Sequence, residues 1–237
     1  MAEQPARIAL DPEAAPCVAE GPPLHLVAIK PHLRGVNHAI AFPLSLIATL
    51  VLTWFASGVR GHWAAIVFGT GVTFMFGTSG AYHRIPWPDA WAIWCRRMDH
   101  AAIFVTMAMI YTAIYIGALR GDGITTYLLI FAWVGAALGI LFKLRFIDAP
   151  KHYGAGIYVI FGLTAISSLP TLVDAVGGTA VLLLLLSNSF TLAGAFVYAF
   201  ERPNPYPHHF GFHEIFHLCV TISVMMQFGI MARWITG

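Results

Sequence analysis

The chain alternates between long apolar runs and short polar breaks. A run of about 20 apolar residues crosses the hydrocarbon core of a bilayer as an α-helix. Seven such runs can be marked, at residues 38–57, 62–82, 98–119, 124–144, 154–172, 179–200 and 213–234. Helix breakers stand between them, with Pro86 and Pro88 after the second run and Pro203, Pro205 and Pro207 after the sixth. The pattern predicts an all-α polytopic membrane protein, a seven-transmembrane-helix bundle over residues 36–237. No internal repeat is visible, and the only low-complexity stretch is the leucine run at 182–186.

Residues 1–35 break the pattern. They carry Pro5, Pro12, Pro16, Pro22, Pro23 and Pro31 among scattered acids, without an apolar run between a basic start and a small-residue cleavage site. A flexible cytoplasmic tail without a signal peptide is expected.

Composition agrees with the periodicity: 58% of residues are hydrophobic and 10% charged, which excludes an ordinary soluble domain. The net charge of +2 comes without a basic block, so no nucleic-acid partner is expected and membrane lipid is the partner implied. Cys17, Cys95 and Cys219 are too few and too dispersed for a disulfide framework and read as reduced thiols.

Cytoplasmic loops are enriched in Lys and Arg. Ten of the thirteen basic residues fall in the N-terminal tail and the second, fourth and sixth loops, leaving Arg60, Arg120 and Arg233 for the other side. This places the N-terminus in the cytoplasm and the C-terminus outside.

An ionised group in hydrocarbon is costly unless it is paired, hydrated or bound to metal. Only two acids fall inside the spans, Asp99 and Glu214, each expected within the first two residues of its helix. The topology brings His83, at the exit of helix two, to the same leaflet as Asp99 on helix three and His213 and His217 on helix seven. His213 and His217 are four residues apart, so they share one helix face about a turn apart, a spacing that one tetrahedral metal can bridge. Three imidazoles with a carboxylate close by would supply a zinc (Zn2+) site. Asp99 could bind directly or hold a water beside the metal, and either position makes it the natural general base. Its alternative is an ion pair with Arg96 or Arg97 at the interface. The same two histidines also admit a plain reading as polar residues solvated by headgroups.

Ser79 lies one turn before His83 on the same face. Its hydroxyl could orient a water or donate to an oxyanion, or bond back to its own helix. Gly69, Thr73, Gly77 and Ala81, spaced by four, form a small-residue face that admits a close helix neighbour. His100 reads as structural and His62 falls at the opposite leaflet. His208 and His209 are the substitute ligands.

Three motifs, Ser79-Gly80-Ala81-Tyr82-His83, Arg97-Met98-Asp99-His100-Ala101-Ala102-Ile103 and His213-Glu214-Ile215-Phe216-His217, resemble the hemolysin III family over roughly residues 36–236. That family is grouped with the progestin and adipoQ receptors and the alkaline ceramidases as seven-helix metal-dependent membrane hydrolases. The resemblance implies zinc on His83, His213 and His217, with Ser79 and Asp99 around the attacking water. Two regions depart from the family. Arg34 stands where an Asn is usual and Ala41 replaces a Gly, with no Glu ahead of helix one. Tyr111-Thr112-Ala113 lacks the family's proline.

Three functions compete. A zinc hydrolase would cleave a lipid amide or ester at the cytoplasmic leaflet, with Asp99 and Ser79 catalytic. A non-enzymatic sensor or regulator of lipid state would use the zinc structurally. An intramembrane metalloprotease would take His-Glu-x-x-His literally with Glu214 as base; the spans hold no second acid but Asp99, which leaves Glu214 incidental. A retinal protein is excluded, because helix seven has no lysine for a Schiff base.

Overall fold

The structure is a computed structural model that describes residues 31–119 and 123–236. Its helices are α1 (Val36–Phe55), α2 (Gly58–Arg84), α3 (Asp89–Ala118), α4 (Gly123–Arg145), α5 (Lys151–Leu163), α6 (Leu169–Val176), α7 (Gly178–Phe200) and α8 (Phe212–Ile235). Seven spans are long and apolar enough to cross a membrane, the fifth running from Lys151 to Val176 through α5 and α6. No named strand occurs among the described residues; Tyr206 and Phe210 form a single antiparallel bridge. The outward faces are apolar: Leu50, Trp54, Leu138, Ile160 and Leu182 are all exposed. Apolar surface of this extent marks faces that meet a membrane or a partner rather than water, and the seven spans identify the membrane. The chain is a multi-pass membrane protein.

Small residues decide which helices approach. A Cβ added at Gly69 would overlap the Thr49 side chain, and one at Gly77 would sit 2.9 Å from the Phe42 ring, so the small-residue face of α2 is occupied by α1. A second face of α2 receives α3, where Gly71 accommodates Met109 and the Thr106 hydroxyl donates to the Gly71 carbonyl at 2.8 Å. Gly139 of α4 makes room for the Phe104 ring in the same way. Removing a side chain lets two backbones close on each other, which is what drives helix packing where water cannot.

The fifth span is broken by identifiable chemistry. The Thr164 hydroxyl donates to the Phe161 carbonyl at 2.7 Å and Ser167 to the Thr164 carbonyl at 2.8 Å, local bonds that compete with the helix ladder. Pro170 follows and has no N–H to give. Residues Thr164–Ser168 tighten into a 3₁₀ segment. Freed carbonyls at membrane depth need donors, and the Tyr111 hydroxyl of α3 donates to Gly162 at 3.1 Å and Phe161 at 3.4 Å. With Ala113 in place of proline, α3 runs unbroken through this region.

α3 begins at Asp89 rather than near Met98. Asp99 therefore lies about 15 Å along its helix and not at the first turn. The added segment carries exposed Trp91 and Trp94 beside Arg96 and Arg97, a composition suited to the headgroup layer, which a window for apolar runs passes over. α2 likewise starts ahead of His62, at Gly58. The expected tail lies outside the described residues up to Lys30. Its residues 31–35 are held by backbone bonds, His32 N–H to the His208 carbonyl at 2.9 Å and Leu33 N–H to the His209 carbonyl at 3.1 Å.

Candidate metal centre

His83 is the next-to-last residue of α2, and His213 and His217 occupy the first two turns of α8. Their ligand atoms all lie within 4.8 Å of one another, with His83 and His217 buried and His213 half-buried. The Nε2 atoms of His83 and His213 are 3.3 Å apart. Two nitrogens bound to one tetrahedral zinc at about 2.0–2.1 Å stand about 3.3–3.4 Å apart, so this pair is already at the edge length of such a site. His217 Nδ1 is buried without a hydrogen-bond partner, a polar atom that costs stability unless something satisfies it. Three neutral imidazoles are a borderline-soft donor set suited to zinc and similar transition metals. The residues fit a metal ion, and the cluster could hold one.

Asp99 completes the surroundings. Its Oδ2 lies 3.6 Å from His83 Nε2, the nitrogen that also faces His213. The Ser79 side chain is buried and hydrogen-bonds toward the Asp99 carboxylate. Neither arginine neutralises the aspartate: Arg96 pairs with Asp148 at 2.7 Å and donates to the Ile147 carbonyl at 3.2 Å, while Arg97 lies 4.8 Å from the Trp94 ring centroid. α3 thus directs its two arginines away from the cluster and its one central acid toward it.

The start of α1 wraps the cluster, and most of this wrapping is not apparent from periodicity. Gly35, at φ 77°, adopts a left-handed conformation that favours glycine, and a Cβ there would overlap the His83 Cβ. Arg34 donates to Glu214. The Asn37 amide oxygen accepts from Thr221 at 3.0 Å. His38 is 3% exposed and stacks on His217 with centroids 3.8 Å apart and planes 4° from parallel. Opposite this strap, the Tyr198 ring of α7 meets His213 edge-on at 5.5 Å.

Glu214 is not incidental. One carboxylate oxygen accepts from Arg34 and the other from the Gly211 N–H at 2.7 Å, which caps α8. Both oxygens are engaged and the residue is 4% exposed, so its carboxylate joins the α1 strap to the start of α8. None of the other histidines weighed from the sequence is among the three whose ligand atoms converge. His62 is exposed with Nδ1 2.7 Å from the Gly58 carbonyl at the far end of α2, His100 lends its carbonyl to the Tyr158 hydroxyl, and His208 and His209 are exposed and contribute carbonyls to the strap.

A seven-span membrane protein with a three-histidine site able to hold a metal is the class that fold and site define. The chain belongs to the family described as Haemolysin-III related, whose model matches residues 27–228. It is 28% identical over 188 residues to the hemolysin-3 homolog of Bacillus subtilis (strain 168), covering 78% of this chain and 84% of that protein. It is also 28% identical over 199 residues to hemolysin-3 of Bacillus cereus, covering 82% and 87%. No solved structure matches the chain.

Proposed function

We propose that His83, His213 and His217 hold a zinc ion and that the protein is a zinc-dependent hydrolase of a lipid amide or ester, working at the leaflet that the basic-residue count makes cytoplasmic. The observation that carries this is the approach of the Asp99 carboxylate to 3.6 Å from His83 Nε2, with no arginine paired to it among the described residues. Zinc in a three-histidine site supplies a Lewis acid and makes water a nucleophile near neutral pH. In this reading Asp99 accepts the proton of the attacking water and later returns it to the leaving group. The Ser79 hydroxyl orients that carboxylate and is one helical turn from His83, a position from which it can donate to a developing oxyanion. The Gly35 backbone and the His38 ring close the α1 side of the cluster.

The same cluster also supports a second reading, a structural zinc in a sensor or regulator of lipid state, because its ligands join the ends of α2 and α8. Asp99→Asn separates the two. A catalyst loses about 10²–10⁴-fold in turnover of a ceramide, acyl-amide or phospholipid substrate while keeping its metal. A structural site keeps whatever lipid response it has and loses thermal stability instead. Purified zinc-loaded protein that hydrolyses none of these lipids would overturn the hydrolase reading.

A further inference from the structure

At the end of the bundle away from the three-histidine cluster lies a cavity of about 940 Å³, lined by the start of α2, the end of α3, α6 and α7, and the end of α8. That volume is near the upper end for small-molecule sites. Arg60 and Arg233 both border it, and among the described residues neither has an acid within ion-pair distance. They are two of the three Lys and Arg that the charge pattern leaves to this side. Their depth is informative. Arg60 is the third residue of α2, and Arg233 lies in the last turn of α8. Helices of 27 and 24 residues exceed the roughly 30 Å hydrocarbon core, so their ends stand among headgroups.

Below the arginines the wall turns apolar. Leu183, Met226 and Ile230 line it, and Met226 lies two turns, about 10 Å, deeper than Arg233. Gly229 lies on this wall, and a Cβ there would meet nothing within 4 Å. Two guanidiniums without an acid partner among the described residues, at headgroup level above apolar side chains, match a molecule with an anionic head and an acyl tail.

We propose that this cavity is a binding site for an anionic phospholipid, its phosphodiester held between Arg60 and Arg233 and one acyl chain running past Ile230 and Met226. The site is about 35 Å along α2 from His83, so it stands independently of the metal centre.

Native mass spectrometry of the full-length purified protein tests it, with phosphatidylglycerol and phosphatidylcholine titrated separately. One phosphatidylglycerol per chain is expected, with phosphatidylcholine bound at least several-fold more weakly. R60Q/R233Q is expected to weaken phosphatidylglycerol retention about tenfold. Gly229→Phe fills the channel from an open position and is expected to do the same at an unchanged melting temperature. Retention equal to the parent in both variants, or equal binding of the two lipids, would overturn the proposal. So would displacement of phosphatidylglycerol by inorganic phosphate at equal concentration, which would make the site a plain anion site, or by oleate, which would make it a fatty-acid site.

Discussion

His38 lies flat against His217, with ring centroids 3.8 Å apart and planes 4° from parallel, and its ring is buried between α1 and α8. A stacked ring fixes the plane of its neighbour, so α1 sets the orientation in which His217 faces the cluster. An aromatic pair contributes about 0.5–1.5 kcal/mol beyond the area it buries, and 1.4 kcal/mol is tenfold in affinity. His38→Phe, which keeps the stack, should hold zinc as the parent does, and His38→Ala should bind it up to about tenfold more weakly. Chelator competition measures both. Equal affinities in the two variants would remove His38 from the site.

Gly35 is a sharper test of the same strap. Any side chain there must adopt φ 77° and overlap His83. The left-handed conformation alone costs about 1–2 kcal/mol, and the overlap adds to it. Gly35→Ala should lower the melting temperature and displace His83, so stability and metal content fall together. A variant that loses neither would show that residues 31–35 do not rest on His83.

The Arg34 to Glu214 pair makes the opposite prediction, stability without chemistry. Removing one partner of a buried ion pair costs about 3–5 kcal/mol, and the figure here belongs at or below the low end because Arg34 is 18% exposed. Arg34→Ala and Glu214→Gln should each lower thermal stability while leaving metal content and turnover per folded molecule intact. Loss of turnover in Glu214→Gln without loss of stability would restore that residue as the base and favour proteolysis.

Much of this centre is readable in the chain, because helix spacing and the count of basic residues together bring His83, Asp99, His213 and His217 to one end of the bundle. What escapes is whatever depends on contacts between helices. His38 is one polar residue near a helix start until α8 is seen packed against it. Arg34 stands out as a departure from the family, but only the fold shows that its partner is Glu214. Asp99 is recognisable as a buried acid, yet its depth is misjudged because Arg96 and Arg97 end an apolar run without ending a helix. The break in the fifth span is hidden for a related reason: Thr164, Ser167 and Pro170 are visible, but the donor that makes the break tolerable comes from Tyr111, on another helix.

That donor can be removed cleanly. Tyr111→Phe leaves the ring packing intact and withdraws the hydroxyl from the carbonyls of Phe161 and Gly162. Hydrogen bonds between membrane helices average about 0.6 kcal/mol and reach about 1.7, so a loss of about 1 kcal/mol is expected. Hydrogen exchange should rise at Thr164–Ser168 and stay unchanged at α8. Unchanged exchange in the 3₁₀ segment would mean that its carbonyls are satisfied in another way.

The central claim is that three imidazoles from two helices hold one metal. Elemental analysis of the purified protein beside His83→Ala and His217→Ala tests it directly. Near one zinc per chain in the parent and little in either variant is the predicted result; zinc retained at the parental level in either variant, or absent from the parent after purification without chelator, would contradict it.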